Sequence, residues 1–259
     1  MQPDRLRQLF KPKSVALFGA SNVEGALGTV ILQNLKSAGF QGEITLVNPK
    51  YEEIDGDTCF PSLEASGREV DLAVIVAPAK VVPHIIEDCG ESGVGAAIVV
   101  SANFSEAGPK GAALEKEMLR RARRYGIRIL GPNCLGVIRS DIGLNATFSA
   151  GNALPGRIAV ISQSGALCTA ILDWAQDHDV GFSSLISTGI GADVDFGEIL
   201  DFVAMDPGTD SIMLYIEGLK DSRRFMSALR AACLLYTSPS PRDGETHLVC
   251  RLLLEKGGG

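Results

Sequence analysis

The most constraining feature of this chain is a short apolar run broken by glycine. Ser14-Val-Ala-Leu-Phe18 is followed by Gly19, then by a loop holding Gly25 and Gly28, then by the periodic segment Val30-Ile-Leu-Gln-Asn-Leu35. The run Val15–Phe18 reads as a buried strand of a parallel sheet, which is apolar on both faces. Gly19 supplies a sharp turn that a residue without Cβ makes at little cost. Gly25 and Gly28 allow a phosphate to approach the backbone. The helix expected from Val30 onward would point its first amides at that phosphate. The candidate phosphate-binding residues are Gly19, Ala20, Ser21, Gly25, Gly28 and Thr29. The spacing is not Gly-x-Gly-x-x-Gly, and a plain strand-to-helix turn is the alternative reading.

The alternation continues along the chain. Glu43–Val47 is a second strand, ending in Asn48-Pro49-Lys50. An NAD enzyme usually places Asp or Glu here to hold the ribose hydroxyl. Asn followed by Lys instead suits an additional phosphate, as in NADP or coenzyme A, unless Lys50 is only a solvated turn residue. Asp71–Ala77, ending at Pro78, is a third strand. A helix is expected over Val81–Cys89, a strand over Ala96–Ser101, a helix over 109–125 and a strand over Ile127–Leu130. The last runs into Gly131-Pro-Asn-Cys-Leu-Gly136, at the sheet edge where ligands of doubly wound folds collect. Residues 14–139 therefore read as one Rossmann-like domain. Residues 140–156 read as loop, with a boundary there that divides the chain into 1–145 and 146–232.

A second alternation follows: strand 157–161, turn Ser162-Gln-Ser-Gly165, helix 166–178, strand 182–187, helix 196–205, strand 211–216 and a helix from Asp221 to Ala232. The fold class is α/β, a Rossmann-like domain followed by a shortened flavodoxin-like one. From Cys233 the pattern changes. Pro239 and Pro241 lack the amide donors of a central strand, and the segment resembles a translated assembly scar. Residues 233–259 are expected to be a non-native tail and do not enter the fold reasoning.

Bulk properties narrow the function. A net charge of −7 argues against a nucleic-acid binder. The six cysteines form no Cys-x-x-Cys pair and none neighbours a His at ligand spacing, so no metal site is expected. Met1–Arg5 does not read as a signal peptide. No stretch approaches the roughly 18 uninterrupted apolar residues of a membrane span. A cytoplasmic protein with reduced thiols is the resulting expectation.

Ser164 precedes a helix, so its hydroxyl and the next amides suit a phosphate or carboxylate, or simply an N-cap. Ser162 and Ala166 replace both glycines of a serine-hydrolase elbow, which excludes that reading. Of the histidines, His84 and His178 read as helix-surface residues, and none, His247 included, sits in a glycine-rich loop. Glu217 ends an apolar strand at the ligand edge, where a carboxylate orients a catalytic partner or forms a cap or ion pair.

Residues 9–232 resemble the NDP-forming acyl-CoA synthetases, that is, the α part of succinyl-CoA synthetase and the ADP-forming acetate–CoA ligases. The segments that carry the resemblance are Lys13–Ser21, Val47–Lys50, Gly131–Gly136, Gly156–Gly165 and Tyr215–Gly218. Within that resemblance the chain looks most like the synthetase-like region of large bacterial protein-lysine acetyltransferases, to which residues 171–176 and 221–228 are similar. The resemblance implies coenzyme A at the cradle, with Lys50 near the 3′-phosphate, Pro78 near the adenine and Asn133 near the thiol, and Cys134 as a further CoA-binding residue. It implies phosphate or acid binding by Ser162, Gln163, Ser164 and Gly165. Glu217 would then orient a phosphohistidine that lies in a Ser-His-Thr-Gly-like loop absent from this sequence. ATP or ADP with Mg would bind an ATP-grasp region or β subunit also absent from it, and a small carboxylic acid would be the co-substrate. A homo-oligomer is compatible with the family. Two further parents stay open: an acetyltransferase whose synthetase-like region only binds acyl-CoA, and a nicotinamide oxidoreductase, which Asn48 and the glycine spacing disfavour.

Overall fold

A computed structural model describes residues 5–237, with side chains through Leu234. The short helix α1 (Arg5–Phe10) leads into β1 (Ser14–Phe18), α2 (Leu27–Ser37) and β2 (Glu43–Val47). A small hairpin follows, β3 (Glu53–Ile54) and β4 (Asp57–Phe60), then α3 (Leu63–Ser66) and β5 (Leu72–Ile75). Next come α4 (Val82–Glu91), β6 (Ala96–Val99), α5 (Pro109–Tyr125) and β7 (Arg128–Leu130). A second hairpin, β8 (Gly136–Arg139) and β9 (Leu144–Thr147), precedes β10 (Pro155–Ser162) and α6 (Gly165–Asp177). The described chain closes with β11 (Phe182–Ser187), α7 (Phe196–Ala204), β12 (Ser211–Tyr215) and α8 (Ser222–Thr237).

The strands form a seven-stranded sheet of order β3-β4-β2-β1-β5-β6-β7 and a five-stranded sheet of order β12-β10-β11-β8-β9. In the first, β1 lies between β2 and β5, with Ala16 paired to Thr45 on one side and Ala73 on the other. The connections from β1 thus reverse direction, which opens a crevice at its carboxyl end. β10 plays the same part in the second sheet, between β11 and β12. The central strands β1, β5 and β6 are buried almost throughout, as both-face coverage by helices requires. One apolar cluster runs from Leu17 and Leu130 through Val137 and Ile161 to Phe225, so the two sheets share a core. A buried ion cluster ties them as well: Arg139, fully buried, meets Asp206 at 2.8 Å and Asp141 at 3.0 Å. Lys11 approaches the same two carboxylates at 3.3 and 3.1 Å.

Four expectations change. First, α2 begins at Leu27 rather than Val30, which places Gly28 and Thr29 inside the helix. Second, the hairpin β3–β4 was not expected; Asp55-Gly56, both at positive φ, is the turn pair of a type I′ hairpin. Third, residues 140–156 are not simply loop. β8 and β9 are antiparallel and join the second sheet through β11. The division at 145/146 falls within β9, and we propose the segment between Leu130 and Gly136 as the domain junction. Fourth, α8 passes Ala232 and runs to Thr237, because Ala231-Ala-Cys-Leu-Leu suits a helix and the first proline is Pro239. The rest of the expected tail, with His247 and Cys250, lies outside the described residues.

Candidate functional site

The β1–α2 turn is built by close backbone approach. Gly19 has φ +88°, and a Cβ there would lie 2.0 Å from the Val76 carbonyl oxygen. A Cβ at Gly28 would lie 2.1 Å from the Gly19 carbonyl oxygen. Only glycine at both positions lets the first turn of α2 sit directly on the strand end. Gly25 differs: φ is +74° with open space around it, so conformation and not proximity selects glycine. The N-cap is Ala26, which has no side-chain acceptor, and the first amides of α2 are left for another partner. Ser21 and Thr29 are used to shape the loop. The Thr29 hydroxyl contacts the carbonyls of Ser21 and Val23 at 2.7 and 2.8 Å, while Ser21 Oγ accepts from the Val23 amide. The cradle therefore rests on backbone amides more than on these hydroxyls.

Asn48 links the end of β2 to this loop. Its Nδ2 donates to the Ala20 carbonyl at 2.7 Å and its Oδ1 accepts from the Lys50 amide at 3.0 Å. Lys50 is exposed at this edge. Pro78 is exposed just beyond β5, two residues after the Val76 carbonyl on which Gly19 packs.

The edge continues across the sheet to β7. The Ala77 amide donates to Ser101 Oγ, and the Asn133 amide donates to the Ser101 carbonyl, at 3.1 and 3.0 Å. Asn133 is exposed with φ +55°. Cys134 turns the other way. Its Sγ is buried 3.4 Å from the Val99 carbonyl, and burial pushes the thiol up to about 12. The Cys134 thiol thus faces the core and is not a nucleophile at neutral pH.

The second crevice lies at the end of β10. Buried Ser162 folds its hydroxyl back onto Ser164, accepting from the amide and donating to the carbonyl, each at 3.0 Å. Ser164 Oγ caps α6 by accepting from the Leu167 amide at 3.2 Å. The Gln163 side chain is engaged as well. Its Oε1 accepts from the Glu217 and Gly218 amides, and its Nε2 donates to the Gly218 carbonyl. Gln163 thereby fixes Glu217 at the strand end, and among the described residues no cation pairs with the Glu217 carboxylate. Gly165 packs beside Leu135, so the turn 162–165 and the loop 131–136 are neighbours. The loop 19–29 stands farther along the first sheet, linked to 131–136 through Val76, Ala77 and Ser101.

The sequence reading did not single out Thr188-Gly-Ile-Gly-Ala-Asp193 as part of the site. The Thr188 amide donates to the Ser162 carbonyl at 2.8 Å, and the Ile190 amide donates to the Pro132 carbonyl at 3.0 Å. This loop thus joins the two others. Two glycines directly after an apolar strand were the available signal. His84 is exposed on α4, and His178 is the exposed C-cap of α6, stacked on Trp174 with ring centroids 4.2 Å apart.

Comparison with known proteins agrees with this architecture. Residues 13–140 match the CoA binding domain family and residues 155–235 the succinyl-CoA ligase like flavodoxin domain family. The ADP-forming acetate–CoA ligase I of Archaeoglobus fulgidus is 47% identical over 226 residues, 87% of this chain and 33% of that protein. The α subunit of the ADP-forming acetate–CoA ligase I of Pyrococcus furiosus is 43% identical over 229 residues, 87% of this chain and 50% of that one. The solved acetyl-coenzyme A synthetase 1 of Ca. Korarchaeum cryptofilum, in complex with phosphate and ADP, superimposes with a TM-score of 0.85 at 40% identity, covering 88% of this chain and 49% of that one. The chain thus spans a third to a half of the relatives it matches. These are acid–CoA ligases and lend no support to the expected acetyltransferase kinship. Among the described residues no helix is long and apolar enough to cross a membrane. With both sheets, both crevices and these matches in the same order along the sequence, the chain belongs to the NDP-forming acyl-CoA synthetase family.

Proposed function

We propose that this chain is the CoA-binding part of an ADP-forming acid–CoA ligase, whose whole reaction converts acetate, CoA and ATP into acetyl-CoA, ADP and phosphate. The observation that carries this reading is the uncapped start of α2, seated on Gly19 through Gly28 at the reversal point of the first sheet. Amides left without an internal acceptor at a helix N-terminus favour a phosphate group. Lys50 supplies a cation at the same edge for a 3′-phosphate, and Pro78 an apolar surface for the adenine. From β1 to β7 is three strand steps of about 4.8 Å each, roughly 14 Å. An extended pantetheine arm covers that distance and brings the thiol to Asn133, beside the start of α6. There the amides of Gly165 and Ala166, with the dipole of α6, stabilise the negative charge of a phosphate or carboxylate. Glu217, held by Gln163, stands where a carboxylate orients a relay histidine. The relay histidine, ATP and Mg belong to a further region or subunit, and the buried reduced cysteines suit the cytoplasm.

Calorimetric titration of the chain with CoA, dephospho-CoA and NAD tests this. CoA is expected to bind more tightly than NAD. Lys50→Ala is expected to weaken CoA by about 1.5–3 kcal/mol, the worth of a charge-assisted contact, and to leave dephospho-CoA unchanged. Tighter binding of NAD would overturn the assignment, and an equal loss for both CoA forms would show that Lys50 does not read the 3′-phosphate. Incubated with acetate, CoA and ATP, the chain alone is expected to form no acetyl-CoA above a protein-free control.

A further inference from the structure

A strand at the margin of a sheet leaves every second amide and carbonyl without a partner. β7 is such a strand, paired with β6 on one side only. Its other side is filled by the second sheet's glycine loop. The amides of Ile190, Ala192 and Val194 donate to the carbonyls of Pro132, Gly131 and Ile129 at 3.0, 2.9 and 3.1 Å. Partner numbers fall as loop numbers rise, so the segment runs antiparallel to β7. The Ile129 amide donates instead to a side chain of the loop, Asp193 Oδ2, at 2.8 Å. The fit is close: at Gly189 a Cβ would lie 2.4 Å from the carbonyl oxygens of Pro132 and Asn133.

Arg128 clamps this pairing from the same strand edge. Its Nε donates to Asp193 Oδ2 at 2.9 Å, and its two Nη groups donate to the two oxygens of Glu198 at 2.9 and 2.7 Å. Glu198 is only 7% exposed and is also the third residue of the capping box that starts α7. One guanidinium therefore ties the C-terminal end of the loop that lies against Gly131-Pro132-Asn133 to the first turn of α7. A planar fork meets a carboxylate through two parallel bonds, which an ammonium group cannot reproduce.

We propose that Arg128, acting through Asp193 and Glu198, is a positioning residue that holds the Thr188–Asp195 loop against Gly131–Asn133 and so sets where the thiol arm of CoA meets the start of α6. The inference rests on the CoA reading above. Arg128 touches neither the cradle nor Lys50, so its influence falls on the arm and not on the nucleotide. Two ligands separate these ends: CoA, and adenosine 3′,5′-bisphosphate, which keeps the nucleotide and lacks the arm.

The test is titration of the full chain and its Arg128→Lys variant with both ligands. Arg128→Lys keeps a cation and loses the fork. CoA affinity is expected to fall about tenfold, while affinity for the bisphosphate stays within about twofold. Asp193→Asn keeps an acceptor for the Ile129 amide and loses the charge, and is expected to shift the ratio in the same direction by a smaller factor. Equal losses for both ligands, or no loss for either, in variants whose near-ultraviolet circular dichroism matches the parent would overturn the proposal. If Arg128→Lys does not fold, Asp193→Asn decides on the same criterion. A parent chain that binds neither ligand would overturn the CoA reading itself, a result distinct from an unchanged ratio.

Discussion

The helices α2 and α7 both follow a strand and a glycine-containing loop, yet their first turns are finished in opposite ways. At α7 a capping box is completed from within. Asp195 accepts from the Glu198 amide at 2.9 Å, Glu198 reaches back to the Asp195 amide, and Arg128 neutralises Glu198 from the first sheet. At α2 the cap is Ala26, and among the described residues no side chain caps the first amides. A helix end without acceptors costs stability unless water or a ligand supplies them. One supersecondary unit is thus finished in two ways: a saturated start locks a loop in place, and an unsaturated one is the seat proposed for the CoA phosphate.

The largest break in this contrast is expected at Gly28. Gly28→Val drives a side chain into the Gly19 carbonyl, with backbone on both sides and no room to yield, and is expected to cost about 3 kcal/mol. Urea denaturation measures it, and CoA binding should be lost. Gly25→Ala, at φ +74° in open space, is expected to cost only about 1 kcal/mol. If the two variants cost alike, the close approach to the Gly19 carbonyl would not be what selects glycine at position 28.

Glu198 comes next. Burial alone would raise its carboxyl pKa, but the Arg128 hydrogen bonds and charge outweigh burial and hold it below the ordinary glutamate value. A carboxyl depressed in the folded state contributes stability above its unfolded pKa of about 4.3 and loses it as pH falls through the folded value. Glu198→Gln is expected to destabilise the chain at neutral pH by about 2 kcal/mol. Its urea midpoint should then fall less steeply than the parent's below about pH 4.5. A parallel fall in both proteins would separate the acid sensitivity from this pair.

The smallest effects sharpen the comparison. Ser164→Ala removes the cap of α6 and is expected to cost about 1 kcal/mol. Ala26→Ser supplies the acceptor that α2 lacks, and is expected to add about 0.5 kcal/mol of stability while weakening CoA by a similar amount. Greater stability with unchanged CoA affinity would show that the open amides are not the binding site.

Much of this organisation is legible from residue pattern. The strand near 14–18, the helix 109–125 and the strand 182–187 stand where periodicity puts them, because burial on two faces leaves a continuous apolar run and burial on one leaves a 3.6-residue repeat. The hairpin β8–β9 was less visible. Its residues carry polar groups such as Asn145 and Thr147, which are buried and bonded to each other, and no local rule announces burial of that kind. Helix α2 began early because the glycine in its first turn resembles loop in sequence but is demanded by packing.

The cradle separates local from tertiary information most clearly. By itself the sequence determined that a strand, a glycine turn and a helix meet near Gly19, and that Asn48 and Lys50 replace the acid of a nicotinamide enzyme, since these depend on neighbours a few positions apart. Only the tertiary structure decided that Cys134 faces inward, that Gln163 binds the backbone after β12, and that Arg128 secures a loop lying 60 to 70 positions away in the chain. Such contacts are fixed by which strand edges are left open and which charges are buried together. Those quantities exist only once the two sheets have packed into a common core.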